Sequence, residues 1–147
     1  MAQDVFQCSN LSPLETRPMS SLHRTIEGDA IVRHLGQDQR EIDRTLLAKH
    51  GRSARTLVKE GPLRLTLIAI APGGELPEHD ADGPVSVHVI EGDIAFSAAG
   101  SSYALGPGDV LVLAAGVRHS ARSEKGGTFL LTVVHLPSAG TPLASQG

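Results

Sequence analysis

Two histidines stand out as the side chains of this 147-residue sequence that could do chemistry. His79 follows the glycine-rich turn that begins at Pro72, and His119 follows a second glycine turn at Gly116. Short apolar runs surround both turns, which predicts antiparallel strands joined by tight turns, with one imidazole from each of two hairpins. An imidazole can bind a polar ligand or a metal. Alternatively, both rings are cavity histidines whose nitrogens bond to water or to the backbone.

The spacing around these histidines resembles that of the cupin superfamily. The first motif of that family is Gly, five residues, His-x-His, three or four residues, Glu, six residues, Gly. Its second motif is Gly, five residues, Pro-x-Gly, two residues, His, three residues, Asn. The matching positions are Gly73, His79 and Gly92 in the first motif and Gly108, Gly116 and His119 in the second. The resemblance covers about residues 55–136 and implies a small antiparallel β-barrel.

The resemblance also implies a metal site, but several positions depart from the family pattern. Three imidazoles and one carboxylate would hold a divalent metal such as Fe, Mn, Ni or Zn. Here the second His position is Ala81 and the Glu position is Val85, while Ala114 and Ser123 replace the Pro and Asn of the second motif. The side chains that could complete the set are Glu78, Asp80, His88 and His135. Each has a simpler interpretation: the two carboxylates as solvated groups, His88 as a histidine on the opposite face of its strand, and His135 as a hydrogen-bonded edge or interface histidine.

An aliphatic pocket is the second part of this hypothesis. In the segment Val85-Ser86-Val87-His88-Val89 apolar and polar residues alternate strictly, which is typical of a half-buried strand. We therefore predict that Val85, Val87 and Val89 line the cavity and that His79 and His119 supply its polar groups.

The elements that must position these residues are mostly strands. Eight or nine short apolar runs, separated by Gly, Pro and Asp, fill the chain from Ser53 to about residue 136. Before them, Asp38 as a cap, Glu41 three residues later and Gly51 at the end predict one short helix over about 38–50. A short strand is expected around Ala30-Ile31-Val32.

The domain organisation follows from these elements. We predict an extended N-terminal arm over residues 1–37, a barrel domain with its leading helix over 38–137, and a flexible tail over 138–147. Leu11, Leu14 and Met19 could anchor the arm on a partner subunit. Because open strand edges in such barrels are commonly covered by another copy, we predict a homodimer.

Composition excludes several classes of partner. The net charge is −3 and the charges are scattered, so there is no basic stripe for nucleic acid. The single Cys8 excludes an intrachain disulfide and a multi-thiolate metal site. No long apolar segment indicates a signal or a membrane span, and we expect a cytoplasmic protein with no membrane partner.

Three functions are consistent with the sequence. The first is a binding protein that holds a small molecule, or loosely a divalent metal, in the barrel. The second is a metal-dependent enzyme, a dioxygenase or an isomerase, with a rebuilt ligand set and Glu78 as its candidate base. The third is a structural or regulatory dimer whose pocket is vestigial. Fold alone does not choose among them.

Overall fold

The structure, a computed structural model, describes residues 25–26 and 28–136 and shows a protein built mainly of strands. Apolar and polar residues alternate in most of these segments, and glycines with positive φ end them. The strands are β1 (Arg52–Glu60), β2 (Leu63–Ile70), β3 (Gly74–His79), β4 (Val85–Gly92), β5 (Ile94–Ala98), β6 (Ser101–Leu105), β7 (Val110–Leu113), β8 (His119–Ser123) and β9 (Gly127–Val134).

These strands form two antiparallel sheets whose inner faces share one apolar core. The larger sheet has the order β1-β2-β9-β4-β7, and the smaller has the order β3-β8-β5-β6. Phe96 on β5 meets Phe129 on β9 edge to face, with ring centroids 5.7 Å apart, and neither residue is exposed. This contact joins the two sheets at the centre of the core. The predicted small antiparallel barrel with short N-terminal helical structure is therefore confirmed.

The helical region differs from the single helix predicted over 38–50. Two short helices are present, α1 (Leu35–Arg40) and α2 (Arg44–His50). The break occurs because Asp43 caps α2, accepting hydrogen bonds from the backbone N–H groups of Thr45 and Leu46 at 2.9 and 3.0 Å. The predicted left-handed stop at Gly51 is confirmed by its φ of 80°.

Asp38, predicted to cap the helix, instead lies inside α1 and is buried. Its carboxylate contacts the guanidinium of Arg33 at 2.6 Å and that of Arg55 on β1 at 3.4 Å. The helices also cover a second apolar cluster on the outer face of the larger sheet, which includes Leu57 and Leu67. Ion pairs and apolar contacts thus fix the segment before β1 to the barrel.

Two further predictions about strands were wrong. The segment Ala30-Ile31-Val32 is not a strand: within residues 28–136 no strand pairs with it, and Val32 is 62% exposed. Conversely, the residues that lead to His79, which we expected to form a loop after the turn at Gly73, form β3 and pair with β8. The tail and most of the arm, including Leu11, Leu14 and Met19, lie outside the described residues.

Within the part of the chain that the structure describes, no helix is long and apolar enough to cross a membrane.

Candidate functional site

The pairing of β3 with β8 brings the two motif histidines together. His79 and His119 are direct partners in the register of these strands, and their ring centroids are 4.3 Å apart in an edge-to-face arrangement. The ladder shifts register between Leu76 and His79, around Pro77, which has no N–H to donate. Two residues that lie 40 positions apart in sequence therefore form one imidazole pair.

Both rings are oriented by their own backbone. His79 Nδ1 lies 2.9 Å from the carbonyl oxygen of Pro77, and His119 Nδ1 lies 2.8 Å from that of Val117. A carbonyl oxygen only accepts, so each Nδ1 carries the hydrogen and donates it. In the neutral ring Nε2 then keeps its lone pair. The pair therefore has two acceptor nitrogens that these hydrogen bonds do not use.

His119 lies in apolar surroundings, while His79 is only half-buried. His119 is 2% exposed and stacks on Phe96, with ring centroids 5.9 Å apart. Burial lowers the pKa of His119 below its ordinary value, and this effect outweighs the hydrogen bond to Val117, which raises the pKa. Of the nearby charges, His79 lowers the pKa further and Asp80 raises it. The imidazole of His119 is therefore neutral at pH 7, and any access to the pair is from the side of His79.

The residues around this pair do not fit a tightly bound divalent metal. Among the described residues, no group of three or more His, Cys, Asp or Glu side chains is placed to share one ion. Ala81 has no donor atom, and Val85 is buried in the core at 2% exposure. Two imidazoles alone hold most divalent ions weakly. We therefore assign no chemistry to a metal here, and a loosely held metal on His79 and His119 stays a prediction.

The side chains considered as replacement ligands have other partners. Glu78 and Asp80 lie on either side of the Arg118 guanidinium, at 3.6 and 3.9 Å, and all three are more than half exposed. His135 bonds through Nδ1 to Asp82 at 2.7 Å. The fourth, His88, is half-buried at mid-strand on β4, where it pairs in register with Val110 and Leu130.

The three valines predicted to line a pocket belong to the packed core. Val85 is 2% exposed, and Val87 and Val89 are not exposed at all. They pack in the same cluster as Phe96 and Phe129. That a ligand reaches them stays a prediction, which the substitution Val85→Glu tests.

Two concavities in the described residues lie away from the histidine pair. One, of about 230 Å³, lies between α2, β1, β2 and β3 and includes Arg52, Ile68 and Leu76. The other, of about 320 Å³, lies on the smaller sheet; we call it the serine groove, and it is lined by Glu78, Ser97–Ser102, Arg118 and Ser120. Sequence reasoning missed this groove. The sequence signal that could have revealed the groove is the alternation on β5 and β8, where polar residues alternate with Phe96, Ala98, His119 and Ala121.

Comparisons with known proteins agree with this architecture. Residues 66–135 match the family model described as a cupin domain. Among solved structures, a conserved protein of unknown function from Streptococcus pyogenes is 25% identical, with a TM-score of 0.59, over 77% of this chain and 93% of its own. No protein in a search of curated sequences matched.

Two structural neighbours named as enzymes share the fold at lower identity. A predicted oxalate decarboxylase from Thermotoga maritima is 19% identical, with a TM-score of 0.54, over 58% of this chain and 81% of its own. A variant of salicylate 1,2-dioxygenase from Pseudoaminobacter salicylatoxidans is 20% identical, with a TM-score of 0.62, over 69% of this chain and 33% of its own. These similarities concern the fold. The matched family model and the two glycine–histidine motifs together identify residues 66–135 as a cupin domain.

Proposed function

We propose that this protein binds a small molecule and that the His79–His119 pair is the polar end of its site. The observation that supports this proposal is the orientation of the two rings. Each Nδ1–H is bonded to its own chain, at 2.9 and 2.8 Å, and both Nε2 atoms remain as acceptors. The ligand class that suits two Nε2 acceptors is one with hydroxyl or amide N–H donors.

The surroundings of the pair favour binding over proton transfer. His119 is buried against Phe96, and a ligand hydrogen bond formed there would be shielded from water. No carboxylate contacts either ring in the described residues, so neither imidazole has the partner that usually orients and charges a catalytic histidine. Recognition of a neutral donor needs no such partner.

A ligand screen with matched variants tests the proposal. Thermal-shift screening of a small-molecule library should give compounds that raise the melting temperature of the wild-type protein. Titration calorimetry should then show that His79→Phe abolishes this binding. The control is His88→Phe, a substitution at a half-buried histidine on the other sheet, which should bind as wild type. Binding that survives both His79→Phe and His119→Phe would refute the role of the pair.

A metal-dependent enzyme is the second candidate function, and the two free Nε2 atoms are the observation in its favour. The dioxygenase and predicted decarboxylase among the structural neighbours share this fold. Elemental analysis of protein purified without chelator separates the candidates. Stoichiometric Fe, Mn, Ni or Zn that is lost in the His79→Ala, His119→Ala double variant would support the enzyme. If the metal content stays below stoichiometry even after reconstitution, the binding protein remains as the candidate function.

A homodimer remains our proposal for the assembly, and a dimer with a vestigial pocket is the third candidate. β7 is an edge of the larger sheet, and two of its valines, Val110 and Val112, are 55% and 66% exposed. An unpaired apolar edge favours pairing with another copy. Sedimentation analysis over a range of concentrations should show a dimer, and a monomer throughout would contradict it.

We also propose the cytoplasm as the location, which cell fractionation would check.

A further inference from the structure

A row of serine hydroxyls crosses the outer face of the smaller sheet, in the serine groove. Ser97 on β5 lies opposite Ser120 on β8 and, on its other side, opposite Ser102 on β6. Neighbouring strands lie about 4.8 Å apart, so three hydroxyls follow one another at that spacing. In the described residues none of the three side chains has a hydrogen-bond partner within the protein. The row therefore offers donors and acceptors that are free for a ligand.

One end of the groove carries a charged pair of opposite signs. The guanidinium of Arg118 lies 3.6 Å from the carboxylate of Glu78, and both side chains are 60% exposed. At that separation the contact is longer than a hydrogen bond, so both groups keep capacity for other partners. Guanidinium offers a planar fork of donors and carboxylate offers two acceptor oxygens. Within the lining these two side chains balance in charge, while Asp80, outside the lining, lies 3.9 Å from the other side of the same guanidinium.

The hairpin between β5 and β6 closes the other end, and its backbone is strained. Ala99 has a φ of 50°, the only positive φ among non-glycine residues in the part of the chain described, and Gly100 follows with a φ of 79°. Two-residue hairpin loops with both φ values positive normally have Asn, Asp or Gly first, because a Cβ is disfavoured there. Strained backbone of this kind is enriched at binding sites. Ala99 lines the groove.

The serine groove is separate from the histidine pair. His119 and Ser120 are successive residues of β8, so their side chains point to opposite faces of the sheet. His119 is buried inside, whereas Ser120 lines the groove outside. A ligand in the groove therefore need not contact either imidazole.

From these observations we propose that the serine groove is a second binding site, for a small neutral polyhydroxylated molecule such as a sugar or a sugar alcohol. Its volume of about 320 Å³ is at the lower end of the range for small-molecule sites. Its lining has many hydroxyls, one cation and one anion, and no aromatic side chain. Such a lining matches a ligand with many hydroxyls better than a charged or an apolar ligand.

The test is an NMR titration of the ¹⁵N-labelled protein with glucose, galactose and mannitol as neutral probes and gluconate as an anionic one. At least one neutral probe should cause saturable shifts in the amides of Ser97, Ser102 and Ser120, with roughly millimolar affinity. The Ser97→Ala, Ser120→Ala double variant should bind that probe about tenfold more weakly, a loss of about 1.4 kcal/mol. Its spectrum outside the groove should match that of the wild type, which excludes loss of the fold.

A matched control is available on the other sheet. Ser86 lies on β4, and Ser86→Ala removes one hydroxyl from the larger sheet. This variant should bind the probe as the wild type does. The proposal would be overturned by neutral probes that cause no saturable shifts, by equal binding in the double variant and the wild type, or by gluconate binding more tightly than every neutral probe. The last result would indicate an anion site on Arg118.

Discussion

The substitution Val85→Glu tests whether the position of the missing carboxylate ligand lies in a closed core or in an open cavity. Val85 is 2% exposed and packs in the core between the two sheets. Removing its two methyl groups, in Val85→Ala, should lower the free energy of unfolding by about 2 to 3 kcal/mol, since each buried methylene contributes about 0.8 kcal/mol and a cavity remains.

Val85→Glu adds a charge that has no partner. An uncompensated buried charge costs about 3 to 5 kcal/mol, beyond the lost packing. The total is therefore at least about 5 kcal/mol, against the 5 to 15 kcal/mol by which most domains are stable. Ala48→Glu is the control, because Ala48 is exposed on α2, away from the proposed dimer edge, and it should change stability by no more than about 0.5 kcal/mol.

Guanidinium chloride unfolding, followed by circular dichroism, measures these differences. Circular dichroism is the suitable signal because the chain has no tryptophan. If Val85→Glu were within about 1 kcal/mol of Val85→Ala at neutral pH, the carboxylate would be solvated. That result would refute the packed core at this position and support an open, water-filled pocket.

Three further predictions concern groups outside that position. In the unfolded chain His119 takes up a proton near its ordinary pKa of 6.5, whereas burial lowers its pKa in the folded protein, so the wild type should lose stability as the pH falls from 6.5 to that lowered pKa. His119→Phe should flatten this pH dependence, measured by urea unfolding at several pH values. An unchanged slope would contradict the prediction. Asp38→Ala leaves Arg33 without its buried partner, while Arg55 keeps its contact with Glu41. The substitution should cost about 3 kcal/mol in chemical denaturation, and a loss below about 1 kcal/mol would show that the ion pairs are not structural. Ala99→Asn should relieve the positive φ and stabilise the fold by about 1 kcal/mol, seen as a higher melting temperature, and a lower one would mean that no strain is stored there.

Much of the barrel was predictable because its signals are local. Alternation of apolar and polar residues identified β2 and β4, and glycine-containing turns separated most of the strands. β3 was missed because Gly74 and Pro77 are poor strand residues, and its strand geometry depends on pairing with β8, a contact between distant parts of the chain. The split helix was missed because Asp38 and Asp43 both have capping chemistry, and only tertiary ion pairs show which one is buried.

The site was predictable only in part. Motif spacing placed His79 and His119 as a pair, and the structure brings their rings to 4.3 Å. Spacing could not show that each Nδ1 bonds to the carbonyl two residues earlier, since that depends on the backbone path at Pro77 and Val117. Nor could the alternation of Val85, Val87 and Val89 distinguish a pocket wall from a packed core, because both bury the same face of a strand.

The central claim is that two imidazole rings meet with both Nε2 atoms available to a ligand. Long-range ¹H–¹⁵N spectra of the histidine rings at pH 7 and above test it most directly, since they report which ring nitrogen carries the hydrogen. The account predicts that His79 and His119 are both protonated on Nδ1 and that their Nε2 signals move when a ligand from the screen binds. Protonation of either ring on Nε2, or ligand binding that leaves both Nε2 signals unmoved, would contradict it.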